Sequence, residues 1–161
     1  MSWKSLHRSR DDAGHAAVLL GDSVTASAPG ETDLSRLLAR LSPLLLPQEF
    51  VFCCVAGGSY GDFAELAPLA AFHEAEGLTL LLPAASAAER HWPTSPPMRC
   101  ISLGVQSSLE AVGLTAAVAS ALAAHGIAAN VVAAFHHDHL FVPAASADDA
   151  LAVLQGLSGE Q

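Results

Sequence analysis

Residues 135–143 read FHHDHLFVP, which puts His136, His137, Asp138 and His139 at four consecutive positions. Imidazole and carboxylate groups bind metals, and imidazole also carries protons near neutral pH. On a regular strand, however, His137 and His139 point to one side, and His136 and Asp138 to the other. Only two of the four then reach one ion, whereas zinc takes three or four protein ligands. The spacing favours the polar tip of a hairpin, with His139 entering the strand that follows. Metal binding by HHDH remains the alternative, because a turn breaks the alternation and a second subunit adds ligands.

The stretch QSSLEAVGL (106–114) leads from an apolar strand toward a helix. A helix beginning near Leu109 to Gly113 leaves its first N–H groups unpaired and carries the positive end of its dipole. Such a terminus binds an anion without any basic side chain. Gln106, Ser107, Ser108, Leu109, Glu110, Val112, Gly113 and Leu114 are therefore candidate ligand-binding residues. The competing reading is that Ser107 and Ser108 cap the helix while Gly113 serves packing. Asp62 closes GGSYGD (57–62), which lacks the Lys-Ser/Thr of a phosphate-binding loop, so nucleotide binding is not expected. Asp62 is placed to meet a ligand amine, although a tight turn is the commoner use of such residues.

Catalysis has weaker support. Ser107 or Ser108, a histidine and Asp138 supply the residue types of a hydrolase triad, but no G-x-S-x-G elbow is present. Cys53 and Cys54 lie inside the strand-like run FVFCCV, with no helix N-terminus to activate them. Three cysteines without metal spacing read as reduced thiols in a cytoplasmic protein. No catalytic residue, cofactor or metal is expected.

The formal net charge is −9, and three of the seven cations (Lys4, Arg8, Arg10) lie in the first ten residues. No basic stripe is left to neutralise phosphates, which argues against nucleic acid and against anionic membranes. The apolar content of 52% is ample for a core. The longest apolar stretch, AVGLTAAVASALAA, is shorter than the roughly 20 residues that span a bilayer.

Residues 1–32 lack periodicity and read as a disordered extension or an over-long start. From Asp33, Leu34, Leu37, Leu38 and Leu41 share a helical face up to Pro43. FVFCCV (50–55) reads as a buried strand, AELAPLAAF as helical turns around Pro68, and GLTLLLP (77–83) as the next strand. The segment PAASA then occurs at 83–87 and again at 143–147, each time after an apolar strand. Ser86 with Glu89, and Ser146 with Asp149, have capping-box spacing. In the second copy CISLGV is a strand, and Leu114, Val118 and Leu122 mark a helix ended by Gly126. NVVAAF and HLFV form a hairpin, and a helix from about Asp148 to Leu157 closes the unit. The order β-α-β-β-α is a βαββαβ sandwich lacking its last strand.

VQSSLEAVGLTAAVASALAAHGIAANVVAAFHHDHLFVP, together with FVFCCV and FHEAEGLTLLLP, resembles the small tandem ACT-domain proteins of bacteria, over about residues 33–157. The resemblance implies an α+β fold: ferredoxin-like units at 33–96 and 97–158, with antiparallel sheets covered by helices on one face. It also implies a non-catalytic regulatory protein that binds an amino acid or similar small zwitterion at an interface between units. Gly113 and Leu114 match the Gly-Leu pair that ACT domains place at this turn. Gln106 to Leu114 would hold the carboxylate, and Glu110, Asp62 or Asp138 the amine, with Asn130 and Asp138 facing the ligand or the other unit. His73 stands where arginine is commoner in the family, and Gln106 where histidine is commoner, so specificity differs if either touches ligand. A homodimer and an unidentified regulated partner are expected. The alternative is an interaction module that has lost its ligand.

Overall fold

The computed structural model describes residues 30–159. Its main feature is a six-stranded antiparallel sheet in the order β3-β4-β1-β5-β7-β6. The first half of the chain contributes β1 (Leu44–Val55), β3 (Ala70–Glu74) and β4 (Gly77–Pro83), and the second β5 (Met98–Ser102), β6 (Asn130–Ala133) and β7 (Asp138–Pro143). Four helices accompany them: α1 (Leu34–Ala39), α2 (Ala84–Ala88), α3 (Leu114–Ala124) and α4 (Ala147–Gly159). A short strand β2 (Tyr60–Phe63) and a 3-10 turn at Ala64–Leu66 fill the first half where the second has α3. Among the described residues no helix is long and apolar enough to cross a membrane.

Each half has the same internal order, its first strand inside and its hairpin outside. The halves meet where β1 pairs with β5. The early part of β1 (Leu44–Phe50) lies against β5, and the later part (Phe50–Val55) against β4. The segment before β5 returns the arrangement: Ser95 N–H donates to the Phe52 carbonyl at 2.8 Å, and Phe52 N–H to Ser95 Oγ at 3.0 Å. The position of the missing last strand is thus taken, in each half, by the run-in to the other half's first strand. Pro47 cannot donate to a ladder, and the β1–β5 register breaks between Leu45 and Glu49. Arg99 bridges the gap, donating from Nε and a terminal nitrogen to the Leu46 carbonyl at 3.0 and 2.7 Å.

Two expectations need correction. AAF (70–72) is not helical but begins the edge strand β3, in register with Leu81, Leu80 and Thr79. The tight return from Glu74 to Gly77 lays it against β4, and that ladder outweighs the helix propensity of alanine. The PAASA segments do start helical turns, but through Pro83 and Pro143, whose φ values of −53° and −52° lead straight from strand into helix. Neither Ser86 nor Ser146 acts as a cap, because each already lies inside the helical turn.

The apolar residues segregate by sheet face. Helices α1, α3 and α4 cover Ile101, Leu103, Leu140 and Val142, while α2, the 3-10 turn and Trp92 cover Val51, Cys53, Leu78, Leu80 and Leu82. On the opposite face Phe50, Leu81, Cys100 and Phe141 form one row across both halves, with Phe50 and Phe141 edge to face at 5.9 Å. Helix α1, which opens the first half in sequence, packs into the core of the second, where Leu37 is fully buried. Asp33 caps it by accepting from Arg36 N–H at 2.9 Å. Of the expected extension, residues 1–29 lie outside the described residues. Glu31, by contrast, is held, donating to the Gln106 carbonyl and accepting from Ser108 N–H at 3.1 and 3.0 Å.

If α1 is a structural part of the second half, Leu37→Ala will lower unfolding free energy by about 2–5 kcal/mol. Urea denaturation measures this, and a loss under about 0.5 kcal/mol would mean that α1 is a dispensable surface element.

Candidate functional site

The loop from Gly104 to Gly113 leaves the end of β5 and is gripped from two sides. Leu103 N–H donates to the Asp138 carbonyl at 3.0 Å, and Ser42 N–H to the Leu103 carbonyl at 3.2 Å. Gly104 turns the chain with φ 63°, and a side chain there would collide with the Ser42 carbonyl. The hairpin tip then meets the loop. His137 donates through Nδ1 to the Val105 carbonyl at 3.2 Å, and Gln106 Nε2 donates to His136 Nδ1 at 3.4 Å. Ser107 Oγ donates to Asp138 Oδ2 at 3.5 Å, and both residues are buried. Opposite the tip, the backbone of Glu31 pairs with Gln106 and Ser108.

Helix α3 begins at Leu114, later than the expected start between Leu109 and Gly113. Its N-cap is Gly113 at φ 104°, and no side chain caps it. The two serines are used elsewhere: Ser107 holds Asp138, while Ser108 Oγ accepts from Glu110 N–H at 3.2 Å in a local turn. A Cβ on Gly113 would stand 2.9 Å from Leu34 Cδ2, a contact that a small shift of that side chain relieves, so the positive φ is the stronger reason for glycine here. Leu114 points into the core, whereas Leu109 and Val112 are exposed on the loop.

Not every expected residue joins this site. Because β1 and β5 are antiparallel, Asp62 lies beyond the opposite end of the sheet from the β5–α3 loop. There its carboxylate accepts from Ser59 N–H at 2.9 Å and closes its own turn. Asn130 pairs across from Phe141, three residues along the ladder from Asp138, and its amide contacts Met98 sulfur and the Phe141 carbonyl. Asp138 does reach the loop. The strict alternation expected for HHDH also fails, because the turn brings His136, His137 and Asp138 all onto the Val105–Ser107 segment. His139 enters β7 on the other face, and its Nδ1 has no hydrogen-bond partner among the described residues. No group of three metal-ligating side chains able to hold an ion occurs among the described residues. Burial raises the Cys53 thiol and pushes Cys100 up to about 11, so neither is a ready nucleophile.

The structure adds two residues that no local pattern reveals. An open cleft of about 470 Å³ runs beside the loop, lined by Gly30, Glu31, Arg40, Gly104, Val105 and Gln106. Glu31 and Arg40 flank α1, more than sixty residues before the loop, and no spacing rule connects them.

Two ACT-domain family profiles match the chain in succession, over residues 29–99 and 95–156. The chain belongs to the ACT-domain family. Its two ACT domains are the two halves of the sheet. A Vibrio cholerae protein of unknown function, described as a possible transport protein, is 46% identical, with 78% of this chain and 95% of that one aligned at a TM-score of 0.72. An Agrobacterium tumefaciens protein shares 16% identity and superposes at TM-score 0.63, covering 74% of this chain and 90% of its own. The ligand-free regulatory subunit of Thermus thermophilus aspartate kinase shares 12% identity at TM-score 0.56, covering 71% and 95%. These last two likenesses are of fold. No curated protein is significantly similar to this chain.

Within the second ACT domain Asp138 and His139 titrate in opposite senses. Burial raises the Asp138 carboxyl above its ordinary value, against the Ser107 bond and the neighbouring histidines. Its contribution is complete below about pH 4 and is lost as pH rises through the raised value. Burial lowers His139, aided by His137, so its contribution is complete above 6.5 and is lost as pH falls through the lowered value. Asp138→Asn will therefore melt above the wild type at pH 7, with the gain vanishing near pH 4. His139→Met will flatten the fall in melting temperature from pH 7 to pH 5. Melting curves across pH 4–8 check both, and parallel profiles for wild type and variants would refute the assignment.

Proposed function

We propose that this protein is a cytoplasmic sensor that binds an amino acid or a similar small zwitterion at the β5–α3 loop. The observation that carries this reading is the start of α3, an 11-residue helix with no side-chain cap although two serines lie close by. Uncapped N–H groups and the helix dipole together favour a carboxylate. Glu110 is exposed and its carboxylate has no partner among the described residues, which suits it to a ligand ammonium. Asp138 supports the loop from beneath through Ser107 rather than meeting the ligand directly.

ACT domains are regulatory modules, and the kinase subunit noted above is regulatory in its own right. On this reading the present chain does no chemistry on its ligand. The first ACT domain has β2 and a 3-10 turn in place of a long helix, so one ligand per chain is the expected stoichiometry. Leu109 and Val112, exposed beside the loop, suit a second copy of the chain, and homodimerisation there would cover them. Binding would then alter how the loop and its neighbour pack, and a partner protein would read the change.

A thermal-shift screen of the full chain against the twenty amino acids tests the proposal. A ligand at 100 times its Kd adds about 2.7 kcal/mol, a rise of roughly 5–10 °C for a chain of this size. One or two amino acids should give it, calorimetry should return one site per chain, and Glu110→Ala should weaken binding about tenfold without changing the unliganded melting point. A flat screen would overturn the sensor reading in favour of an interaction module without a ligand.

A further inference from the structure

The described part of this acidic chain contains four arginines and no lysine: Arg36, Arg40, Arg90 and Arg99. Three are engaged. Arg36 faces Glu31 at 3.7 Å, Arg90 pairs with Glu65 at 2.7 Å and leans over Trp92, and Arg99 is spent on the Leu46 carbonyl. Arg40 has no side-chain partner among the described residues, and it lines the cleft beside the β5–α3 loop. Arg40 is exposed at the end of α1, and among the described residues no carboxylate pairs with it.

The carboxylate that shares the cleft does not neutralise it. Glu31 Oε1 accepts from Thr32 and Asp33 N–H at 3.0 Å each, and these bonds hold its carboxyl below the usual range. Its other oxygen faces Arg36, so Glu31 is committed to the start of α1. Glu31 stays ionised with Arg36 facing it, which leaves Arg40 as the one cationic side chain lining the cleft among the described residues. A planar guanidinium takes a carboxylate through two parallel bonds, and a volume near 470 Å³ is the size of a small-metabolite site.

We infer that the cleft between Glu31, Arg40 and Gly104–Gln106 is a carboxylate-binding site in which Arg40 receives the carboxylate of a small organic acid. This rests on the reading of the β5–α3 loop as a ligand site, but it moves the ligand's carboxylate from the bare start of α3 to Arg40 and so turns the ligand toward α1. Because Arg40 ends α1, the competing role is only to complement that helix's negative end.

The test is a titration of the full chain and its Arg40→Gln variant, followed by NMR at arginine Nε and at the Gly104 and Val105 amides. The probes are sodium acetate, the twenty amino acids, their carboxamide counterparts and inorganic phosphate. Carboxylates should shift Arg40, Gly104 and Val105 saturably, leaving Arg36, Arg90 and Arg99 in place. Carboxamides should not, and Arg40→Gln should raise Kd at least about tenfold. If amino acids bind no tighter than acetate, the carboxylate site stands and the amino-acid reading fails. If amino acids bind equally well to Arg40→Gln, with shifts confined to Glu110 and the start of α3, the cleft is refuted and the sensor reading survives. Phosphate binding more tightly than every carboxylate, or no saturable shift at Arg40, would also overturn the inference.

Discussion

The antiparallel joint between β1 and β5 is the constraint on which the rest of the structure depends. Neither ACT domain completes its own sheet, and each takes up the strand run-in of the other. Backbone groups at the centre of a buried sheet must be paired, so the two domains cannot be separated without exposing polar edges on both. The row of Phe50, Leu81, Cys100 and Phe141 crosses the joint and adds apolar continuity to it. Pro47 interrupts the ladder at the one place where Arg99 stands ready to replace a lost donor.

The same joint delivers α1 to the second domain. Because β1 begins beside β5, the helix that precedes it falls on the second core, and Leu37 and Leu41 complete that core. Glu31 and Arg40 are carried along to the β5–α3 loop. The loop bonds to Glu31, Glu31 accepts from Thr32 and the α1 cap Asp33, and α1 leads into the strand that both domains share. On the proposed reading, a ligand that moved the loop would act through these bonds on the strand that both domains share.

The two domains have diverged within one plan. In the second, a long helix starts bare beside a gripped loop. In the first, the equivalent region is a 3-10 turn bounded by Phe63 and Ala67, both in left-handed backbone, and packed under Trp92. Non-glycine residues hold such angles only where the surroundings enforce them. The Phe63–Trp92 contact, edge to face at 5.1 Å, packs one end of this turn, and the Glu65–Arg90 pair lies on its exposed side. The loop region of the first domain is packed against Trp92, whereas that of the second borders an open cleft.

Much of the fold was legible in residue order. Apolar runs marked the strands around Val51, Leu80, Ile101 and Leu140, four-residue spacing marked α3, and the paired PAASA segments marked the duplication. Each of these signals is local: periodicity and turn chemistry act over a few residues. Strand β3 was missed because Ala70 and Ala71 have no preference strong enough to oppose helix, and its ladder with β4 decided the matter. The early part of β1 was hidden because Pro47 reads as a breaker until a partner some fifty residues away accommodates the bulge. The site shows the same division. The loop residues Gln106 to Leu114 stood out through their chemistry and their resemblance to a known turn. That Asp62 and Asn130 would lie elsewhere, that three of the four HHDH residues would turn to one side, and that Arg40 would line the cleft all follow from contacts between segments remote in sequence. Short-range preferences told what each segment of this chain can form, whereas the β1–β5 pairing chose which segments meet, because its energy resides in neither segment alone.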